Sequence, residues 1–190
     1  MDLPYISDKK FERDDYSLRP LPVAEYEKCQ FSHCEFSNSA LTNAVFIDCT
    51  FNDCNLMMVK AAGTAFRGVE FTNCKLLGVR FEYADPFLFS VGFRKCMLNL
   101  TGFFKMKIKK TIFMDCAMHE VDFSGTDLTQ AVLTNCDLHN SIFDNTILNK
   151  ADLRTSINYT IDPEKNQVRK MKLSPDGLSG LLRKYDLDIR

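Results

Sequence analysis

Residues 29–36 read CQFSHCEF, and residues 49–56 read CTFNDCNL. Cys29, Cys34, Cys49 and Cys54 form two C-x4-C pairs, and His33 sits inside the first. Thiolates and imidazoles a few residues apart are a zinc signature, because a short loop can turn both toward one ion. The same stretches carry a second pattern. Phe31, Phe36, Phe51 and Leu56 each follow a cysteine by two residues. The reading depends on which pattern extends further.

The second one does. In steps of five from Tyr26 the chain reads Tyr26, Phe31, Phe36, Leu41, Phe46, Phe51, Leu56, Ala61, Phe66, Phe71, Leu76 and Phe81. It resumes at Phe93 and continues in fives to Leu153. Only Ala61 departs from a large apolar residue, and 12 of the 16 phenylalanines fall in this series, so the Phe excess is positional. Two residues before each stands a second, small residue, with Met106 the one exception, and no charge occupies either series. Neither the helical period of 3.6 nor the strand period of 2 describes this pattern. A fixed period over such a length marks a repeat architecture, in which each unit buries its apolar side chains only by stacking on its neighbours. One large and one small residue in five point inward.

Units such as Thr126-Asp127-Leu128, Cys136-Asp137-Leu138 and Ala151-Asp152-Leu153 resemble the pentapeptide-repeat family, whose pattern is small–polar–Leu/Phe–x–x. The resemblance covers roughly residues 24–156. It implies an all-β solenoid, a right-handed quadrilateral β-helix with four pentapeptides to a coil and neighbouring coils paired like parallel strands.

The cysteines follow from that. All eight (Cys29, Cys34, Cys49, Cys54, Cys74, Cys96, Cys116 and Cys136) fall in the small slot. With four-sided coils, Cys34, Cys54 and Cys74 share a column, as do Cys96, Cys116 and Cys136. Parallel thiols about 4.8 Å apart act as small hydrophobes, whereas tetrahedral zinc needs ligands converging from several directions. They are read as core, with no metal and no cofactor.

Composition narrows the function. The chain has 190 residues, a formal net charge of −1 and a pI near 6.3, which favours neither nucleic acid nor membrane. Its apolar runs fall far short of the roughly 18 residues of a membrane span. The start, MDLPYISDKK, lacks the apolar core of a signal peptide, so a cytoplasmic location with free thiols is expected. No nucleophile–base pair, Gly-rich phosphate loop or paired-acid motif appears, so an enzyme is not expected. His119 and His139 are 20 apart and are read as solvated imidazoles stacked on one face.

Three segments are expected: a cap over residues 1–23, the β-helix over 24–158, and a C-terminal segment over 159–190 that caps the last coil or joins two subunits. Within the β-helix, Phe81 to Leu88 is seven residues and Leu88 to Phe93 is five. Leu88 therefore reads as inward, with two extra residues bulging near Pro86 and Phe87 as a partner contact. After residue 158, Tyr159 to Leu173 reads as a hairpin around Asp162–Asn166, and Ser174-Pro175 opens a helix. Leu178, Leu181, Leu182 and Tyr185 form its apolar stripe, and Leu187 and Ile189 read as a last strand.

Charge is banded. Arg94, Lys95, Lys105, Lys107, Lys109 and Lys110 lie in a stretch without acids, whereas Asp115, Glu120, Asp122, Asp127, Asp137 and Asp144 lie in one without Lys or Arg. These six acids make a collar over roughly 8 Å of axis, a density of about 0.7 per Å against roughly 0.6 for duplex DNA. Resemblance to the quinolone-resistance (Qnr) and MfpA branches of the family implies a homodimer joined through the C-terminus and a DNA mimic. Such a mimic would occupy the duplex site of DNA gyrase or topoisomerase IV and modulate quinolone sensitivity. Two features stand apart from that reading: the basic band, and a bulge much shorter than Qnr loops. The alternative is a rigid module for another cytoplasmic protein, with no direct nucleic-acid binding.

Overall fold

The computed structural model describes residues 3–188. The five-residue unit folds the same way along almost the whole chain. The large residue and the small one before it are buried, and the residue two after the large one turns the corner. From Lys28 to Lys150 these corners sit in the left-handed region, with φ between 50° and 71°, except at Tyr83, which lies in a 3-10 turn. Asn, Asp and Gly fill many of them, since these residues tolerate that conformation at least cost. Four corners close a coil, and the coils stack as a parallel β-solenoid.

Wall one carries β1 (Tyr5–Ser7), β3 (Glu25–Glu27), β5 (Val45–Ile47) and β7 (Ala65–Arg67). Wall two carries β2 (Lys10–Glu12), β4 (Gln30–Ser32), β6 (Thr50–Asn52), β8 (Val69–Thr72), β9 (Val91–Arg94), β10 (Ile112–Met114) and β11 (Val132–Thr134). Walls three and four are ladders of single parallel bridges. On wall three the ladder runs Asp15, Glu35, Asn55, Lys75, Met97, Ala117, Asp137 and Ile157, about 34 Å at strand spacing. Register steps by 20 residues, shifts to 22 at Val69↔Val91, and returns to 20 at Phe93↔Phe113.

The interior consists of columns. On wall two Phe11, Phe31, Phe51, Phe71, Phe93 and Phe113 stack nearly parallel with centroids 4.7–5.4 Å apart. Phe81, Phe103, Phe123 and Phe143 do the same on wall four. Neighbouring columns meet edge-on, as Phe93 meets Phe81 at 5.8 Å, so both favoured ring geometries coexist in one core.

The eight cysteines are buried free thiols, and the six-member column from Cys34 to Cys136 is continuous across the register shift. Each thiol does more than fill space. Cys54 Sγ donates to Phe31 O at 3.4 Å and Cys74 Sγ to Phe51 O at 3.3 Å, and Thr64 Oγ1 donates to Leu41 O at 2.8 Å in the same manner. The small slot thus satisfies a carbonyl one coil below, which explains why Cys, Thr and Ser recur there. Burial pushes the Cys49 thiol up to about 12, and hydrogen bonds from its neighbours together with burial push Cys74 far higher.

Expectations at both ends and at Leu88 are corrected. The expected cap over residues 1–23 is, over the described residues 3–23, a coil of the solenoid: β1 and β2 pair with β3 and β4, and Asp15 bridges Glu35. Ile6, Phe11, Tyr16 and Leu21 continue the series of fives, but Pro4, Lys9, Asp14 and Arg19 hold the small slot and mask the pattern. At the other end the expected hairpin is absent among the described residues. Gln167 and Lys172 bridge Ile147 and Asp152 in parallel, so residues 166–173 continue the ladder. Asn158 and Pro163 interrupt the apolar series there, and Tyr159 and Ile161 fill the interior instead. A helical segment follows, with α1 (Ser179–Leu182) between 3-10 turns at Pro175–Leu178 and Arg183–Tyr185. Ser174 stands before Pro175 but its hydroxyl makes no capping bond. Leu187 is exposed outside any strand, and Ile189 lies outside the described residues. Leu88 is taken up with the insertion that carries it.

Candidate functional site

Wall one is interrupted after β7. Asp85 N donates to Thr64 O, and Ser90 N donates to Phe66 O, both at 2.9 Å. These anchors pin the two ends of the insertion, and Pro86, Phe87, Leu88 and Phe89 must pass between them where the coil below has only Ala65 between the two acceptors. Leu88 does not point inward as its spacing implied. It takes a left-handed φ of 56° at the tip and is 65% exposed. Phe89 enters the core instead, edge-on to Phe66 at 6.1 Å and Phe81 at 6.0 Å. A ring entering from the far anchor fills the gap between two rings that Leu88, held at the tip, does not reach.

Phe87 is 63% exposed, as its position in the bulge implied, and it is held in place. Its N–H donates to Asp85 Oδ1 at 3.0 Å, Arg67 lies over its ring at 5.3 Å, and Arg67 pairs with Asp85 at 3.5 Å. The tip is therefore a braced apolar projection. Tyr83, 63% exposed, stands at the preceding corner. One coil later, Phe104 is exposed on wall four with Lys105 over its ring at 4.8 Å. The sequence places Leu88 inward and gives Tyr83 and Phe104 no role. The available signal was that Tyr83 and Phe104 are large aromatics in outward positions of the repeat.

The basic residues gather beside this tip. Lys107, Lys109 and Lys110 occupy wall one in the coil after the insertion, with Lys105 at its entering corner, and all four are exposed. Arg94 and Lys95 lie around the corner on wall two. Lys109 pairs with Asp127 at 3.2 Å.

The six collar acids do not share a face. Asp127 is on wall one, Asp115 on wall two, Glu120 and Asp137 on wall three, and Asp122 and Asp144 on wall four. Three of them close local turns: Asp122, Asp127 and Asp137 accept the N–H two residues on, from Ser124, Thr129 and His139, at 2.9–3.2 Å. That duty explains their recurrence before Leu or Phe. Burial raises the Asp127 carboxyl, but hydrogen bonds from Thr129 and the Lys109 ammonium outweigh it and hold the group below the usual range. Asp137 behaves alike through Asn158 and His119, and His119 Nε2 lies 3.0 Å from it. Asp115, Glu120 and Asp144 are exposed.

At the C-terminus Leu181 packs against the core and Leu182 is half-buried. Leu178 and Tyr185 are half-exposed. A cleft of about 740 Å³ separates this segment from the last coil, lined among others by Arg154, Tyr159 and Arg183. Among the described residues, no group of three or more His, Cys, Asp or Glu side chains converges on a point.

Residues 24–85 match the family described as "Pentapeptide repeat region", and residues 113–157 match "Pentapeptide repeats (8 copies)". No curated protein matches the sequence. Among solved structures, the chain is similar to trypsin-treated QnrB1, a plasmid-mediated fluoroquinolone resistance protein. That match has a TM-score of 0.66 at 17% identity over 99% of this chain and 98% of the other. Full-length QnrB1 matches with a TM-score of 0.63 at 16% identity, covering 96% and 100%. HetL, a pentapeptide-repeat protein involved in heterocyst differentiation regulation in the cyanobacterium Nostoc, matches with a TM-score of 0.61 at 12% identity, covering 93% and 89%. At such identities the likeness is one of fold.

Proposed function

Because this chain belongs to the pentapeptide-repeat family, we propose that it acts as a non-enzymatic protein-binding rod, with its contact centred on the interruption of wall one. One observation carries this reading. An otherwise regular wall projects a braced tip, Phe87 and Leu88, with Tyr83 beside it, and large side chains held apart from the core in one cluster mark a contact site. The rod supplies preorganisation, since the backbone anchors at Thr64 and Phe66 and the Arg67–Asp85 brace hold the tip and little is left to order on binding.

A photo-crosslinking amino acid placed at position 87 should give one discrete adduct in cells. The same group at Thr50, on the regular part of wall two, should give none. Equal labelling from both positions, or none from position 87, would remove the tip as the contact.

A second reading is the gyrase-directed DNA mimic. The full-length likeness to QnrB1 and the ring of acids support it. In that reading two copies join through Leu178, Leu181, Leu182 and Tyr185, and Asp115, Glu120 and Asp144 carry the exposed charge, because the other three acids close turns. The expected result is inhibition of gyrase supercoiling, or its rescue from a quinolone, that is lost in the triple variant D115N/E120Q/D144N. Absence of either effect at micromolar protein rules that enzyme out as the target.

A further inference from the structure

The tip and the lysines beside it define a partner more narrowly than either does alone. We propose that this patch binds an acidic segment of a partner protein, with a large apolar side chain of that segment seated against Phe87 and Leu88. The inference rests on the protein-binding reading above and names the chemistry of the partner.

The apolar half of the patch comprises Tyr83, Phe87 and Leu88 in one coil and Phe104 in the next. The cationic half is Lys105, Lys107, Lys109 and Lys110, one coil beyond the tip, or about 5 Å along the axis. The strands of wall one stop at β7, below the insertion, and the ladder resumes at Lys107↔Asp127. The patch therefore occupies the gap in the wall. Arg67 and Asp85 already neutralise each other at 3.5 Å, and Lys109 is engaged by Asp127 at 3.2 Å. Lys105 rests on the Phe104 ring, which leaves its charge intact. Lys107 and Lys110 complete the excess of positive charge. A cationic edge beside exposed aromatic and aliphatic groups is complementary to carboxylates flanking an apolar anchor.

The extent of the patch argues against nucleic acid. The next coil along the axis carries Asp122 on wall four and Asp127 on wall one, and the coil after it carries Asp144. A phosphate backbone tracking the rod would run from lysines onto carboxylates within about 10 Å, whereas a short acidic segment fits wholly within the cationic coil.

The test is fluorescence anisotropy of the full chain with a labelled synthetic peptide in which glutamates flank a single Phe–Leu pair. Three comparison ligands are used: the same peptide with lysines for glutamates, the glutamate peptide without Phe–Leu, and oligothymidylate. The expected result is saturable binding of the first peptide alone, weakened by added salt. Binding should fall roughly tenfold or more, about 1.4 kcal/mol, in K107E/K110E and separately in F87S/L88S. Both double variants change exposed residues, and circular dichroism checks their folding. Binding that ignores K107E/K110E, or tighter binding of oligothymidylate, overturns the inference. If position 87 still crosslinks to a partner while the acidic peptide fails to bind, this inference falls and the protein-binding reading stands. If crosslinking fails as well, both fall.

Discussion

Phe93→Ala is expected to destabilise the solenoid by about 3–5 kcal/mol, the range for removing a buried ring. Phe93 is fully buried, stacked between Phe71 at 5.4 Å and Phe113 at 5.2 Å, and met edge-on by Phe81 and Phe103. A core can limit such a loss by collapsing into the void, but here the rings above and below are held at strand spacing by the parallel ladder. The void should persist, which places the loss toward the upper end of the range. Guanidinium unfolding followed by circular dichroism measures it, with the exposed Phe87→Ala as a control that should shift stability by about 0.5 kcal/mol or less. Stability in a stack of repeats is approximately a sum over units and their interfaces. Phe93 lies at the middle of the rod, so the variant should also broaden or split the transition. A loss under about 1 kcal/mol with a single sharp transition would show that the coils repack freely.

The second large effect concerns reactivity. All eight thiols should resist Ellman's reagent in the native protein and react together on unfolding, with rates separated by at least about three decades, since access then requires opening of the fold. Burial protects all eight, and at Cys49 protonation adds to it. The Sγ atoms are buried and donate to carbonyls of the coil below, and burial keeps a thiol such as Cys49 protonated, with a pKa near 12, at the pH of the assay. Only the thiolate attacks. One or two thiols reacting at once in the native state would mean that a coil opens locally.

How far the fold was legible depended on side-chain chemistry coil by coil. Between residues 24 and 156 both inward positions carry apolar or small residues, and the period of five is enough to place them. In the first coil the large residues Ile6, Phe11, Tyr16 and Leu21 keep the period, yet Lys9, Asp14 and Arg19 take the small slot, so half the code is missing. In the last coil Asn158 and Pro163 break the other half, and the continuing ladder at Gln167 and Lys172 is a backbone property that no side-chain pattern displays. At the insertion, counting residues places Leu88 inward, but which side chain enters depends on where the loop is anchored. Those anchors are hydrogen bonds to Thr64 O and Phe66 O, and they admit Phe89. The collar acids were readable as a charge count. Their division into turn-closing and exposed groups, and their spread over four walls, required the geometry.

The charged slots of the first coil bear on what can stack against it. Every coil of this fold offers the next one a ready template of strand edges and a matching floor of rings, so a rod of identical units is a step away from an endless filament. Lys9, Asp14 and Arg19 stand where each later coil places Cys29, Cys34 and Ser39. Another rod docking beneath them would have to bury an ammonium, a carboxylate and a guanidinium against apolar columns, a cost of several kcal/mol for each ion left unpaired. Three charged side chains thus disfavour apolar stacking against this face of the first coil.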